Sequence, residues 1–154
     1  IYRLTMMSQI KIIDDLKLKI LLRVEAKKLK IPLVMLTSIG DSVLIDVERY
    51  DIDPKTTPFN GLVDEKDINE ILLGKLEKRD ENKYVIKIVG MENVPLKVLD
   101  SVREIGVSLV GRPQLMSTIT VEAGIAAYLA RKIALDEPVP SGRSRVKFED
   151  FING

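Results

Sequence analysis

The 154-residue sequence contains no cysteine and no histidine, and both absences limit the chemistry of the chain. Without cysteine, it has no disulfide, no thiolate metal site, no iron–sulfur cluster and no thiol nucleophile. Without histidine as well, its residues cannot assemble the usual zinc sites or the Ser-His-Asp and Cys-His catalytic systems. Catalysis by this chain would therefore depend on carboxylates, Lys, Arg, Tyr, hydroxyl groups or backbone groups.

The sequence also lacks a long apolar run and a large net charge. The longest apolar stretch, residues 31–36, is far shorter than the ~20 residues that cross a bilayer, and the first residues lack the regions of a signal peptide. The 24 basic and 23 acidic side chains leave a net charge of +1, which creates no global field for nucleic acid or an anionic membrane. We therefore expect a cytoplasmic protein that binds neither membranes nor nucleic acid.

What the sequence does contain is typical of one folded domain. Hydrophobic residues make up 45% and charged residues 31% of the chain, which is enough for a single packed core. Charge is uneven: the net charge is +5 over residues 1–35, −6 over 36–81 and +2 over 82–154. The first residue is Ile1 and not Met, so we expect the natural chain to continue upstream.

The first third of the chain alternates helix and strand patterns. Residues 14–30 repeat apolar side chains at helical spacing, with acidic residues at the start and lysines at the end, which predicts a helix. The apolar run 31–36 is typical of a strand buried on both faces of a parallel sheet, and after a turn at 39–41 residues 43–48 predict a second strand. The helix residues that we expect to face the core are Leu18, Leu21, Leu22 and Leu29.

Helical patterns dominate the middle of the chain. Residues 50–61 have no period and predict a loop, and residues 64–79 predict a helix. The composition of residues 84–89 favours a strand, but a short helix is an alternative because six residues do not define a period. Pro95 is typical of the first turn of a further helix. We therefore predict a helical insertion over about 62–106.

The last part of the chain predicts a long helix over residues 115–135 and a short strand over 145–148. Arg143 and Arg145 could bind an anion, but we expect them to lie on a surface tail. The residues that form the mostly small face of this helix are Ile119, Ala123, Ala126, Ala127, Ala130 and Ile133. Together these elements predict an α/β fold, a single domain over residues 1–154 with a Rossmann-like partial sheet and flanking helices.

Two groups of carboxylates are the local candidates for chemistry. Asp14 and Asp15 stand at the start of a predicted helix, where such a pair either binds magnesium or caps backbone amides, and capping is the commoner role. In the second strand, alternation places Asp46 and Glu48 on one face and the aliphatic residues on the other. These two acids continue into an acidic cluster whose alternating spacing could coordinate a cation. Because the cluster lacks the glycine and the closing glutamate of an EF-hand, we expect a solvated strand edge and loop. The cluster comprises Asp46, Glu48, Asp51 and Asp53.

The order and spacing of Asp14, Asp15, Lys19 and Ile31–Pro32 resemble the ThiF/MoeB/HesA family, the bacterial relatives of ubiquitin-activating enzymes. In that family an Asp-Asn pair begins a helix after the fourth strand of a Rossmann-like sheet. An Arg follows four residues after the Asn, and the next buried strand opens with Val/Ile-Pro. This chain has Asp15 in place of the Asn and Lys19 in place of the Arg. Residues 44–51, 58–61, 111–115 and 139–143 also resemble segments of larger ThiF-like proteins.

The resemblance implies ATP-dependent adenylation of a carboxylate, such as the C-terminus of a ubiquitin-like sulfur carrier protein, by a self-associating protein. It assigns Asp14 to magnesium and the ATP phosphates, and Lys19 to the bound cofactor. The phosphate-binding glycine loop of the family lies upstream, and only thirteen residues precede Asp14, so the chain corresponds to the C-terminal half of such a domain. Because thioester formation needs a cysteine, the resemblance extends at most to adenylation, and we expect this chain alone to be inactive. The alternative is a non-catalytic α/β binding or assembly module.

Overall fold

The computed structural model describes residues 5–7, 15–75, 78–111 and 113–152. The strands in these ranges are β1 (Thr5–Met7), β2 (Leu33–Ser38), β3 (Ser42–Glu48) and β4 (Gly142–Lys147). The helices are α1 (Leu16–Lys28), α2 (Glu65–Leu72), α3 (Lys78–Val89), α4 (Leu96–Arg103) and α5 (Met116–Ala134). No helix within the described ranges has both the length and the apolar character needed to cross a bilayer.

The four strands form one sheet in the order β1-β2-β3-β4, which confirms an α/β fold. Strands β1 and β2 are parallel and are connected through α1, whereas β3 is antiparallel to both β2 and β4. The parallel environment expected for residues 31–36 is therefore present on one side of β2 only. The physical reason is the connection at Gly40 and Asp41, because two residues allow a hairpin but not a parallel crossover.

Helices pack on both faces of this sheet. On one face, α5 covers the aliphatic side chains of β2 and β3, including Val34, Leu36 and Val43. On the other face, α1 and α2 pack over Leu33 and Met35. The alternation predicted for β3 is confirmed, because Ile45 and Val47 belong to the α5 side while Asp46 and Glu48 bond to groups on the α1 side. Two carboxylates therefore lie beneath the α1 side of the domain.

Helix α1 forms where the sequence predicts a helix, but the prediction of its buried face was wrong. The residues that it buries are Leu16, Ile20, Arg23 and Ala26. Three of the four leucines expected in the core, Leu18, Leu21 and Leu29, are exposed. Both stripes have helical spacing, and the leucine stripe is the more apolar of the two. The stripe that contains Arg23 is buried because a buried carboxylate, Glu48, pairs with that arginine. Helical periodicity does not reveal such a pairing.

The helical middle of the chain divides differently from the prediction. Helix α2 ends at Leu72, and Gly74 after it has a φ of +68°, a conformation that favours glycine and stops the helix. Residues 84–89 lie in α3, so the helix alternative is the correct one. Tyr84 and Ile88, four residues apart, both pack on the core from this helix. Helix α4 begins directly after Pro95, as expected.

Helix α5 is also where the sequence predicts it, and part of the predicted face packs on the sheet. Ile133 of that face is buried and Ala126 packs against the core, whereas Ala123 and Ala127 are exposed. The other buried residues of α5 are Thr118 and Glu122. The larger aliphatic side chains of α5 fill the space over the sheet and bury more apolar surface than alanines would.

Candidate functional site

Of the two residues that the resemblance assigns to ATP and magnesium, Lys19 lies in α1. Asp14 is outside the described residues. Its neighbour Asp15 is the N-cap of α1, and one carboxylate oxygen accepts a hydrogen bond from the Leu18 backbone N–H at 3.2 Å, which confirms the capping role for Asp15. Lys19 is half-buried in α1, and its backbone carbonyl accepts a hydrogen bond from Arg23 Nη1 at 3.1 Å.

The structure brings together a different set of charged residues, centred on Glu48 at the end of β3. Arg23 Nε lies 2.8 Å from Glu48 Oε1, and both side chains are fully buried. The Phe59 backbone N–H donates to the same oxygen at 3.2 Å, and the Tyr50 hydroxyl donates to Oε2. One carboxylate therefore connects α1, β3 and the loop that follows β3.

The Arg23 guanidinium is enclosed on several sides by this arrangement. Besides Glu48, it donates to the Lys19 carbonyl and lies 3.2 Å from Met35 Sδ. The guanidinium carbon Cζ of Arg23 lies 3.6 Å from the centroid of the buried Phe59 ring, which is a cation–π contact. Phe59 has a φ of +52°, which is unusual for a bulky side chain, and its backbone and ring contacts in the network stabilise this turn.

Burial dominates the protonation behaviour of this cluster. It raises the pKa of Glu48 above its ordinary value of 4.5, while the charge of Arg23 and the Tyr50 hydrogen bond oppose the rise. Burial, together with the adjacent Glu48 carboxylate, also raises the pKa of Tyr50. Tyr50 therefore stays protonated and donates its hydrogen bond at neutral pH. Because solvent does not reach these groups, their arrangement stabilises the fold and does not present a reactive group to a substrate.

A second network connects β4 to the helical middle of the chain. Arg143 Nε and Nη2 each lie 2.8 Å from an oxygen of the buried Asp46 carboxylate, a two-point contact that only arginine makes. Arg143 Nη1 donates to the Ile88 carbonyl in the last turn of α3. Asn60 Nδ2 donates to Asp46 Oδ1 at 3.2 Å, which adds the loop after β3 to the same carboxylate.

Arg145, two residues further along β4, makes the neighbouring connection. Its Nη2 donates to Ser42 Oγ at 2.8 Å and to the Asn93 carbonyl at 3.1 Å, and Nη1 donates to Asn93 Oδ1 at 3.1 Å. The prediction that Arg143 and Arg145 lie on a surface tail was therefore wrong. Strand pairing with β3 places both on the α1 side of the sheet, where Asp46 and Ser42 accept their hydrogen bonds.

The acidic cluster is correspondingly divided between core and surface. Asp46 and Glu48 are fully buried, so the prediction of a solvated strand edge was wrong for these two. Arg49 Nε donates to Asp51 Oδ1 at 2.9 Å, and Arg49 Nη2 donates to Asp51 Oδ2 at 2.8 Å. Burial alone would raise the pKa of Asp51, but these hydrogen bonds and the charge of Arg49 lower it overall. Asp53 is exposed, as expected. Over the ranges that the structure describes, no group of three or more acidic side chains could bind a metal ion.

The sequence did contain one signal for these networks. Residues 43–48 are apolar on one face and carry Asp46 and Glu48 on the other. Such a strand either lies at an exposed sheet edge or is buried, with a positively charged side chain paired to each acid. Because the adjacent run 31–36 predicts a buried neighbour, the second case was available, and it requires arginines from elsewhere in the chain. Nothing in the sequence identified Arg23 and Arg143 as those arginines.

Substitution of Arg143 by lysine is expected to loosen the end of α3. Lysine keeps the charge opposite Asp46 but cannot contact both of its oxygens and the Ile88 carbonyl together. Amide hydrogen exchange over residues 84–93 should become about tenfold faster, the equivalent of losing about 1.4 kcal/mol of local stability. Arg131→Lys, at an exposed ion pair of α5, is the control and should leave this exchange unchanged. Unchanged exchange in Arg143→Lys would mean that the contact does not stabilise this end of α3.

The sequence is similar to the uncharacterized protein MT1398 of Mycobacterium tuberculosis (strain CDC 1551 / Oshkosh), with 36% identity over 133 residues. The matched region covers 86% of this chain but 18% of that protein, so the chain spans less than a fifth of the length of this relative. No protein-family profile matches the sequence. No solved structure matches it either.

Proposed function

We propose that this chain is the C-terminal part of a ThiF-like domain with a Rossmann-like nucleotide-binding half, in a protein that adenylates a carboxylate with ATP and magnesium. The observation that carries the proposal is the parallel β1–α1–β2 unit. In open α/β sheets, ligands bind beyond the carboxyl ends of the parallel strands, which is the end at which α1 begins. Asp14 immediately precedes Asp15, the N-cap of that helix.

Two further observations support this proposal. Among the described strands, β1 stands at one end of the sheet, where parallel strands of an upstream half would extend it. The similarity to a limited region of a much longer protein suits a segment that works within a larger polypeptide. The antiparallel strands β3 and β4 would then close the other side of the nucleotide-binding sheet.

In the proposed site, Asp14 binds magnesium and orients the ATP phosphates, and Lys19 contributes a positive charge near them. Magnesium usually takes one or two protein carboxylates together with phosphate oxygens and water, so a single aspartate from this segment suits it. When bound, the ion and ATP supply the electrophilic α-phosphorus that the substrate carboxylate attacks, releasing pyrophosphate. We further propose a cytoplasmic, self-associating protein whose substrate is the C-terminus of a ubiquitin-like carrier. This chain alone would be inactive.

The proposal is tested by calorimetric titration of ATP with magnesium. The titration uses the 154-residue chain and, in parallel, the whole protein with the upstream half that the proposal requires. We expect binding by the whole protein only, with a loss of about tenfold or more in affinity in Asp14→Ala. Asp53→Ala, at an exposed acid of the loop after β3, is the matched control and should bind normally. Absence of binding by the whole protein would contradict the adenylation proposal.

A second candidate function is a non-catalytic binding or assembly module. The observation that favours it is the pairing of the buried carboxylates, since Glu48 is bound by Arg23 and Asp46 by Arg143 within the fold. In this case Asp14 contributes nothing to nucleotide binding, and the fold serves to present a surface. Absence of ATP binding by every form would support this candidate, whereas normal binding by the Asp14→Ala protein would only remove Asp14 from the nucleotide site.

A further inference from the structure

Arg145 differs from the other arginines whose side chains the structure describes. Each of the others forms an ion pair with a carboxylate, and these are Arg23, Arg49, Arg103, Arg131 and Arg143. Arg145 contacts no carboxylate of the described residues. Its Nε and Nη2 donate to Ser42 Oγ, while Nη1 donates to Asn93 Oδ1 and Nη2 to the Asn93 carbonyl. These neutral oxygens occupy four of the five N–H groups of a half-buried guanidinium and leave its charge uncompensated.

A second cation lies beside Arg145 on the same face of β4. Lys147 is exposed, pairs in register with Ser42, and forms no ion pair within the part of the chain that the structure describes. Residues two apart in a strand point to one face and are separated by about 6.7 Å, so one anion can contact both side chains. The exposed Glu92 joins this network through an amide only, because its Oε1 accepts from Asn93 Nδ2 at 3.1 Å.

The Arg145 guanidinium lies at the end of the sheet where ligands of open α/β folds bind. Ser42, which accepts two of its hydrogen bonds, begins β3 directly after the hairpin at the carboxyl end of β2. Strand β1 is parallel to β2, so β1 ends and α1 begins at this same end. An anion that arrives beyond the carboxyl ends of these strands, on the α1 side, would therefore meet Arg145 and Lys147.

We propose that Arg145 and Lys147 bind a phosphate group at this end of the sheet. A phosphate dianion supplies a negative charge for each cation and enough oxygen atoms to accept from both, whereas a carboxylate carries one charge. The remaining N–H of Arg145 Nη1 donates to the phosphate, while the four existing hydrogen bonds fix the plane of the guanidinium. Arg143 does not take part, because Asp46 already neutralises it. All of these groups belong to this chain, so the inference does not depend on adenylation.

The test is a titration of inorganic phosphate into the 154-residue chain at constant ionic strength, followed by NMR. The Nε–H signal of Arg145 and the backbone amide signals of Ser42 and Asn93 should shift saturably, with half-saturation on the order of 1 mM. Acetate at the same concentrations should bind more weakly, because it carries a single charge. Saturable binding of phosphate in preference to acetate is the expected result.

Four variants locate the binding site. Arg145→Gln is expected to weaken phosphate binding by about tenfold or more, because it removes a charge-assisted hydrogen bond. Lys147→Gln should weaken it by about threefold, and this exposed residue keeps the test decisive if Arg145→Gln does not fold. Glu92→Gln should strengthen binding by about twofold, because it removes a nearby negative charge. Arg131→Gln, at an exposed ion pair of α5, is the matched control and should bind as the unaltered chain does.

Several results would overturn this inference. One is the absence of saturable shifts with phosphate. Another is an affinity for acetate equal to that for phosphate. Unchanged phosphate affinity in Lys147→Gln, or equal weakening by Arg131→Gln, would also overturn it.

Titration of the whole protein with ATP and magnesium identifies the source of the phosphate. If saturating ATP abolishes the shifts caused by inorganic phosphate, and Lys147→Gln weakens ATP binding, the nucleotide supplies the group. If ATP and phosphate bind independently, a separate phosphate-bearing ligand supplies it. Both results support the site. Phosphate binding without any ATP binding would contradict the adenylation proposal and leave this inference standing.

Discussion

Replacement of Arg23 by methionine is expected to lower the free energy of unfolding by about 3–5 kcal/mol, because it leaves the Glu48 carboxylate buried without its counter-charge. Methionine fills a similar volume, so the loss reports the charge and its hydrogen bonds more than the packing. The same substitution also removes the cation–π contact with Phe59 and the hydrogen bond to the Lys19 carbonyl. Urea unfolding followed by circular dichroism measures the change.

The double variant Arg23→Met with Glu48→Leu distinguishes the charge from the packing. With both charges removed, the double variant is expected to recover only part of the lost stability, because Glu48→Leu also leaves the buried Tyr50 hydroxyl and Phe59 N–H without their acceptor. Lys28→Met is the control, since Lys28 belongs to an exposed ion pair with Glu25 and its loss should cost less than about 1 kcal/mol. A double variant as unstable as Arg23→Met alone would show that the other contacts of Arg23 and Glu48, and not the ion pair between them, stabilise the domain.

The Arg23→Met variant should also respond to pH in a defined direction. The charge of Arg23 lowers the pKa of Glu48, so its removal lets burial raise that pKa further. A carboxyl group whose pKa is higher in the folded state contributes most stability below its unfolded value, and this contribution is lost as the pH rises through the folded pKa. The difference in unfolding free energy between the variant and the unaltered protein should therefore shrink from mildly alkaline to mildly acidic pH.

Replacement of Phe59 by alanine is the second change for which we expect a large effect, about 3–5 kcal/mol of unfolding free energy. The ring is fully buried among residues of the α1 side of the core and lies against the Arg23 guanidinium. Its loss creates a cavity next to a buried charge, which water would enter only with further loss of packing. Alanine at a φ of +52° is strained in the same way as phenylalanine, so the backbone contribution should not change much.

Phe151→Ala is the matched control for this second prediction, because Phe151 is 71% exposed near the end of the described chain. We expect it to change the unfolding free energy by less than about 1 kcal/mol. Chemical denaturation of both variants under the same conditions measures the contrast. A similar small effect for Phe59→Ala would mean that the loop after β3 rearranges to fill the space, and that its unusual backbone is not stabilised by the ring.

The buried ion pair also affects the position of α1, the helix that the proposed nucleotide site uses. Arg23 connects the middle of α1 to the sheet at Glu48 and bonds to the backbone of Lys19 one turn earlier. The network therefore fixes the helix that follows Asp14 and carries Lys19. If a nucleotide binds at the start of α1, the buried ion pair contributes to the position of that site from about two turns away.

The order of the elements was largely predictable from the sequence. The periodic spacing of apolar residues correctly predicted the helices α1, α4 and α5 and the strands β2 and β3, because each pattern extends over one whole element. The six residues 84–89 were ambiguous, since the helix that contains them needs twelve residues for its period to be evident. Strand direction was only half predictable. The run 31–36 has the composition of a parallel strand, but the short turn after it determines that β3 returns antiparallel.

By itself, the sequence determined which chemistries are excluded, where most helices and strands lie, and that Asp46 and Glu48 share one face of a strand. Only the tertiary structure decided which of these polar side chains are buried. The Glu48 carboxylate is paired with an arginine 25 residues away, and the Asp46 carboxylate with one 97 residues away. A charged group enters a core only where its counter-charge meets it. Because that meeting depends on the packing of α1, β3 and β4 together, the local pattern around each residue cannot reveal it.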